Sequence, residues 1–152
     1  DRCLPGRVTW QGGLPMEEVP TAMAQADCLV LPSRHDGWGA VAAEALMVGT
    51  PVICSDRCGV AGVVRASGVG GVFRSGDAVS LASLLSAMFA QGSWIPQDRS
   101  RLAVWASCIG AEAGASYLTR ILEHQFGTGD RPLPPWLVPP LDSLPGPVTE
   151  GL

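Results

Sequence analysis

The stretch from Asp27 to Ser55 constrains the fold most, because two short apolar runs in it flank one loop and one helix. The runs 27–31 and 51–55 are apolar and contain β-branched residues, which is typical of buried strands. A strand, a helix and a second strand of this length form a right-handed crossover in a parallel sheet. Ligands of such sheets bind beyond the carboxyl ends of the strands. The loop from Ser33 to Gly39 lies at that position and is therefore the candidate site.

Two glycines shape this loop. Gly37 and Gly39 lack a Cβ, so the chain can bend sharply and a ligand can approach the backbone closely. We expect a helix to begin between Trp38 and Ala40, with its first amides unpaired at the positive end of the helix dipole. A diphosphate is a natural partner for such a helix start.

Two carboxylates accompany the helix start. Asp36 can either cap amides or accept hydrogen bonds from sugar hydroxyls. Glu44 lies one turn after Ala40 on the same helix face. Its neighbours are alanine, valine, leucine and methionine, so we expect it to be packed on most sides and to need a partner. Ribose hydroxyls would satisfy this carboxylate, and so would an ion pair with Arg34 or Arg57.

The stretch from Asp36 to Glu44 resembles the motif of two glutamates with seven residues between them in retaining GT-B glycosyltransferases related to sucrose and glycogen synthases. Five stretches between Val8 and Ala90 are similar to that family's successive landmarks: Gly12–Pro15, Met23–Asp27, Val30–Ser33, Glu44–Ile53 and Gly71–Asp77. The sequence departs from the pattern at Asp36, which replaces the usual first glutamate and reaches about one methylene less far.

The resemblance implies an α/β fold, namely part of a Rossmann-like, doubly wound parallel sheet that forms the second half of a GT-B C-terminal domain, followed by C-terminal helices. It implies that Glu44 holds ribose hydroxyls and that Asp36 and the amides of 37–39 contact the donor sugar. The next two amides would take the diphosphate. The candidate catalytic residues are Asp36 and Glu44, and the candidate binding residues are Asp36, Gly37, Trp38, Gly39, Ala40, Val41 and Glu44.

The function implied by the resemblance is sugar transfer from a nucleoside-diphosphate sugar to a glycan or lipid-linked acceptor, with retention of configuration. Neither a metal nor a cofactor is expected, because the leaving phosphate is stabilised electrostatically, and the family's basic pair for this role would lie upstream. Two alternatives stay open. One is a sugar-nucleotide epimerase of the same architecture, and the other is a non-catalytic nucleotide-sugar-binding domain whose proline-rich tail recruits a partner.

We expect two parts in the chain: a partial donor-binding domain over 1–126 and a proline-rich, disordered tail over 127–152. Within the tail, Pro134–Trp136 is expected to pack loosely or stay solvated. Because only six residues precede the first strand-like run, Arg7–Trp10, we expect an acceptor-binding domain and the first donor-domain strands to be missing here. The chain by itself is then expected to be inactive.

Helical patterns account for most of the remaining sequence. A short helix is expected within 14–26, a short helix or a turn over 59–65, and a short strand over 70–73. Asp77 is expected to cap a helix over 78–91 whose leucine and methionine stripe belongs to the core. A longer helical pattern over 96–126 contains Gly110 and Gly114, which makes one helix or two equally acceptable.

Composition excludes several classes of function. The net charge of −4 without a polybasic stretch argues against a nucleic-acid partner. No apolar run is long enough to span a membrane, although peripheral association through an N-terminal domain stays open. Five cysteines without a C-x-x-C motif indicate reduced thiols, with Cys28 and Cys54 in core strands, and hence a cytoplasmic location. We interpret His35 as a surface residue, and Trp38 either walls the sugar pocket or anchors the loop.

Overall fold

A sheet of three parallel strands confirms the crossover that the sequence predicts. The computed structural model describes residues 7–127 and 129–138. Its strands are β1 (Leu29–Leu31), β2 (Val52–Ser55) and β3 (Gly71–Phe73), in the spatial order β1-β2-β3. All four residues of the central strand β2 are buried, which is why this segment is apolar except for its last residue.

Helices surround this sheet, and the long pattern after residue 95 divides into two of them at Gly110. The described helices are α1 (Val19–Gln25), α2 (Ala40–Met47), α3 (Ala61–Ser67), α4 (Ala78–Gln91), α5 (Pro96–Ala106) and α6 (Ala111–Gln125), with 3-10 turns at Ser107–Ile109 and Pro135–Leu137. None of the helices in the described ranges is both long enough and apolar enough to cross a bilayer. The architecture is thus α/β, as expected of part of a Rossmann-like fold.

The two faces of the sheet carry different helices. Alternation along β2 puts Val52 and Cys54 on one face, where they join the core cluster of α2, α3 and α5. Ile53 lies on the other face in register with Gly71, and α4 covers that side. Gly71 lets this helix approach closely, because a Cβ there would lie 2.7 Å from the Leu84 side chain. Helices therefore pack on both faces, as in a doubly wound sheet.

Arg99 links α5 to the end of α1 by hydrogen bonds. Its guanidinium donates to the carbonyls of Ala24 (3.1 Å) and Ala26 (2.9 Å) at the end of α1. The hydroxyl of Thr50, which donates to the carbonyl of Met23 at 2.7 Å, lies 3.4 Å from the same guanidinium. The bonds of Arg99 satisfy two carbonyls at the helix end, and all of these bonds together hold α1, α5 and the turn before β2 in place.

Three expectations about local structure were wrong. The run Arg7–Trp10 is irregular and exposed instead of forming a strand, because no described strand lies beside it to complete its hydrogen bonds. The apolar stripe of α4 is half-buried and contributes no fully buried residue, although Asp77 caps this helix as predicted by accepting from the amide of Ser80 at 3.0 Å. Cys28 is half-buried and precedes β1, whereas Cys54 lies in the core as expected.

The tail prediction is answered for only part of its length. Residues 128 and 139–152 lie outside the described residues, so disorder there stays a prediction. Within 129–138 the chain folds back onto the domain, and Trp136 packs against the core cluster. Of the two states expected for Pro134–Trp136, the structure shows packing and not full solvation: all three residues are half-buried, and their turn contacts α3.

Candidate functional site

The loops that follow β1 and β2 are joined by backbone hydrogen bonds. The amide of Asp36 donates to the carbonyl of Arg57 at 3.1 Å, and the amide of Gly59 donates to the carbonyl of Asp36 at 3.1 Å. The amide of Val60 donates to the carbonyl of Trp38 at 2.6 Å. These bonds extend the parallel pairing beyond the strands and hold the candidate loop at the carboxyl edge of the sheet.

Two glycines allow the loops to lie this close. Gly39 has a φ of 88°, and a Cβ there would lie 2.9 Å from Cγ1 of Val60. A Cβ on Gly59 would overlap the carbonyl oxygen of Gly37. Side chains at these two positions would therefore strain or separate the loops. Gly37 has open space around its α-carbon, so its role in the loop is different.

The side chain of Asp36 accepts a hydrogen bond within the loop and does not cap helix α2. Its Oδ1 accepts a hydrogen bond from the amide of Trp38 at 3.1 Å, whereas α2 has Gly39 at its N-cap position and receives no side-chain cap. The amide of Trp38 is consequently occupied by protein. Four neighbouring amides donate to no protein acceptor within the described residues, namely those of Gly37, Gly39, Ala40 and Val41.

Glu44 is exposed, so the expectation that it is packed on most sides was wrong. Helix α2 buries the opposite face, with Ala42, Ala43, Ala45 and Leu46, and turns Ala40, Glu44 and Met47 outward. Glu44 makes no ion pair with Arg34 or Arg57 within the part of the chain that is described, where the recorded salt bridge joins Arg99 and Asp27. In water this carboxylate needs no protein partner and is available to a ligand.

Glu44 also lines a groove of about 220 Å³ between α1 and α2. The other lining residues are apolar: Met16, Val19, Pro20, Met23, Met47 and Val48. The structure therefore places the carboxylate of Glu44 beside an apolar groove and one turn from the open amides of α2. Apolar walls with few polar groups are typical of small-molecule sites.

The charged side chains around the loop are solvent-exposed. Arg34, His35 and Arg57 are all exposed, which agrees with the surface interpretation of His35. Trp38 keeps 41% of its surface exposed and packs its ring against Trp136, and its role as a wall of a sugar pocket stays a prediction. No group of three His, Cys, Asp or Glu residues in residues 7–127 and 129–138 could hold a metal ion.

The cysteines near the site are poorly suited to act as nucleophiles. Burial is the main cause that raises the pKa of Cys54 to about 12, with a smaller effect of Cys58 in the same direction and an opposing effect of Arg65. Burial likewise raises the pKa of Cys28 to about 11. Since the thiolate is the reactive form, these residues stay as neutral thiols near neutral pH.

Sequence reasoning missed two residues that support the site. Ser55 is buried at the end of β2, and its hydroxyl donates to the carbonyl of Ser33 at 2.5 Å, which fixes the start of the candidate loop. A polar residue that closes an apolar strand was the available signal. Trp136 is the second, and its contact with Trp38 has no local signal because the two residues lie in distant parts of the sequence.

Comparisons with known proteins show the family to which the chain is similar. A family model described as "Glycosyl transferases group 1" matches residues 2–102. A D-inositol 3-phosphate glycosyltransferase of Frankia alni is 35% identical over 108 residues, which are 70% of this chain and 25% of the relative. A 2-deoxystreptamine glucosyltransferase of Streptomyces kanamyceticus is 43% identical over 49 residues, 32% of this chain and 13% of the relative.

The name of a third relative gives another acceptor. The O-antigen chain mannosyltransferase B of Escherichia coli is 33% identical over 81 residues, which cover 53% of this chain and 21% of the relative. The chain thus spans at most a quarter of the length of these curated relatives.

Proposed function

Because the chain belongs to the group 1 glycosyl transferases, we propose that it forms the donor-binding part of an enzyme that uses a nucleoside-diphosphate sugar. The complete enzyme transfers the sugar to a glycan or lipid-linked acceptor with retention of configuration. The observation that carries this proposal is the start of α2, where open amides lie beside Asp36 and one turn from Glu44. Anions bind helix starts of this kind, and hydroxyl-rich ligands bind carboxylates.

Each candidate residue has a distinct role in the proposed complex. The amides of Ala40 and Val41 receive the diphosphate, and the amides of Gly37 and Gly39 together with Asp36 contact the donor sugar. The amide of Trp38 already donates to Asp36. In this proposal Trp38 therefore contacts the donor sugar through its indole and not through its amide. Exposed Glu44 accepts hydrogen bonds from the ribose hydroxyls. The helix dipole of α2 stabilises charge on the leaving diphosphate.

The names of the relatives support sugar transfer with differing acceptors. They name 2-deoxystreptamine, D-inositol 3-phosphate and an O-antigen chain, so the acceptors differ among relatives that are all similar to part of this chain. We therefore assign donor binding to the present residues and acceptor choice to the rest of the enzyme. On this proposal the chain alone binds a nucleotide sugar but transfers nothing.

The first test replaces Glu44 by alanine in the complete enzyme. Loss of the ribose contact raises the KM for the donor about tenfold or more, since a hydrogen bond to a charged group contributes about 1.5–3 kcal/mol. Initial-rate kinetics with the nucleotide sugar as the varied substrate measures this change. The matched control is Glu112→Ala, an exposed glutamate of α6 outside residues 2–102. Unchanged donor kinetics in Glu44→Ala would show that the ribose contact is assigned to the wrong residue.

Two further measurements separate transfer from the alternatives. Release of free nucleotide that depends on an acceptor supports transfer, whereas interconversion of the sugar without nucleotide release would indicate an epimerase. The anomeric configuration of the product, determined by nuclear magnetic resonance, tests retention. Nucleotide binding without either reaction in the complete polypeptide would favour the non-catalytic domain.

We also propose a cytoplasmic location. Four cysteines within the described residues carry free thiols, which is typical of a reducing compartment. Cell fractionation with an antibody to the chain tests this, and recovery in the extracellular fraction would contradict it.

A further inference from the structure

The C-terminal segment returns to the candidate site. Its 3-10 turn, Pro135–Leu137, contacts α3, and Trp136 is half-buried there. The ring centroids of Trp136 and Trp38 are 5.9 Å apart, with their planes tilted by 52°. Tilted aromatic pairs at this separation attract each other beyond the effect of buried area. A residue far along the chain is thus in contact with the loop to which the proposed function assigns the donor sugar.

The indole of Trp136 lies against the glycine of α3. Gly62 has no side chain, and Nε1 of Trp136 lies 4.0 Å from the position that a Cβ of Gly62 would take. Val60, just before α3, donates its amide to the carbonyl of Trp38. The start of α3, the backbone of Trp38 and the ring of Trp136 therefore form one connected cluster.

We propose that Trp136 is a positioning residue for the donor-sugar pocket and acts through Trp38. This inference rests on the proposed function. Trp136 holds the Trp38 indole in one orientation, and the 41% of Trp38 that remains exposed forms a wall against which the sugar binds. An indole that is already held loses less side-chain freedom when the ligand arrives, so binding is tighter.

The test is a double-mutant cycle on donor affinity in the complete polypeptide. Dissociation constants are measured by calorimetry with UDP-glucose, ADP-glucose, dTDP-glucose and GDP-mannose, and the tightest of these is used. Trp136→Ala raises the dissociation constant about fivefold, and Trp136→Phe restores most of the affinity because it keeps an aromatic ring beside Trp38. Trp10→Ala, which removes an 84% exposed tryptophan in the segment before α1, leaves the dissociation constant unchanged. In a Trp38→Ala background, the further change Trp136→Ala has no effect, because its action passes through Trp38.

Two other outcomes of the cycle would overturn this inference and leave the proposed function standing. Equal losses from Trp136→Ala with and without Trp38 would mean that Trp136 acts independently of the loop. Tighter binding by Trp136→Ala would mean that the segment covers the site and competes with the donor.

A ligand-free measurement separates this inference from the proposed function. The two neighbouring indoles give a coupled signal in circular dichroism that disappears equally in Trp38→Phe and Trp136→Phe. Absence of that signal in the unchanged polypeptide would overturn the inference without touching donor binding. Failure of the unchanged polypeptide to bind any of the four probes would overturn the proposed function and the inference with it.

Discussion

Helices α5 and α6 are neighbours in the chain, yet they bury very different surfaces. Helix α5 buries Leu102, Trp105 and Ala106 in the core, and its apolar pattern is weak. Helix α6 is longer and has its apolar residues concentrated on one side, but none of its residues is buried. The difference arises because α5 contacts α2 and α3, whereas α6 contacts the two 3-10 turns. An amphipathic pattern thus predicts which face can be buried, and only a packing partner buries it.

The largest expected effect concerns Trp105, which is fully buried on α5. Trp105→Ala lowers the free energy of unfolding by about 3–5 kcal/mol, because it removes the largest side chain of the core and leaves a cavity. Leu118→Ala on α6 changes it by about 0.5 kcal/mol or less, since this leucine is exposed. Denaturant unfolding of both variants measures the contrast.

The variant Trp105→Phe is the control for ring volume. The indole Nε1 of Trp105 has no hydrogen-bond partner in the part of the chain that is described, so phenylalanine loses volume but no hydrogen bond. It should destabilise much less than alanine. Equal losses for Trp105→Ala and Leu118→Ala would contradict the distinction between the two helices.

Alanine should destabilise the chain at Gly49, which faces α5, and stabilise it at Gly114, which lies in α6. Gly49 has a φ of 80°, and a Cβ there would overlap the carbonyl of Arg99 on α5, so Gly49→Ala destabilises by about 1–3 kcal/mol. Gly114 lies within α6 with open space around its α-carbon, so Gly114→Ala stabilises by about 0.5–1 kcal/mol. Thermal unfolding of the two variants decides the signs. A Gly49→Ala variant that is not destabilised would mean that α5 does not approach Gly49 as closely as described, and a destabilised Gly114→Ala would contradict the open space around Gly114.

The arginines of the two helices provide a smaller contrast. Arg99→Ala removes the donors to the carbonyls of Ala24 and Ala26 and costs about 1–2 kcal/mol. The ion pair of Arg99 with the exposed Asp27, at 3.8 Å, contributes little to that loss. Arg120→Ala on α6 changes stability by about 0.5 kcal/mol or less. Urea unfolding tests both variants. An effect of Arg120→Ala equal to that of Arg99→Ala would argue against the hydrogen bonds of Arg99 at the end of α1.

The last expected effect is absent at neutral pH and appears as a dependence on alkaline pH. In the folded chain burial raises the pKa of Cys54 to about 12, compared with 9.0 for an unperturbed thiol. The unfolded chain therefore releases protons at lower pH than the folded chain, so the stability from this thiol is complete below pH 9.0 and is lost as pH rises toward about 12. The melting temperature should fall over this window.

The variant Cys54→Ala should make this alkaline decline shallower, whatever its effect at neutral pH. The alkaline pH range suits this measurement because few other side chains ionise there: the chain contains no lysine and one tyrosine. Cys28 also has a raised pKa, so part of the decline persists in the variant. An unchanged slope in Cys54→Ala would show that this thiol is not protected from ionisation in the folded chain.

The candidate site divides into features with and without local signals. Glycine at 37 and 39, a helix start at Ala40 and an aspartate at 36 are all visible in one short stretch, and the structure places the helix start there. The exposure of Glu44 was not predictable from its neighbours, because alanines are compatible with either a buried or an open face. Which face is open depends on where α1 and the sheet lie. The assignment of these residues to a donor stays a prediction.

The sequence by itself determined the local elements of this protein. Apolar runs, glycines and capping residues specify β1, α2, β2 and the Asp77 cap through contacts between residues close in the chain. Three outcomes were decided only by the tertiary structure: Arg99 donates a hydrogen bond at the end of α1, no residue of α6 is fully buried, and Trp136 contacts Trp38. Those outcomes depend on contacts between segments far apart in sequence, and a side chain carries no local signal of a distant partner.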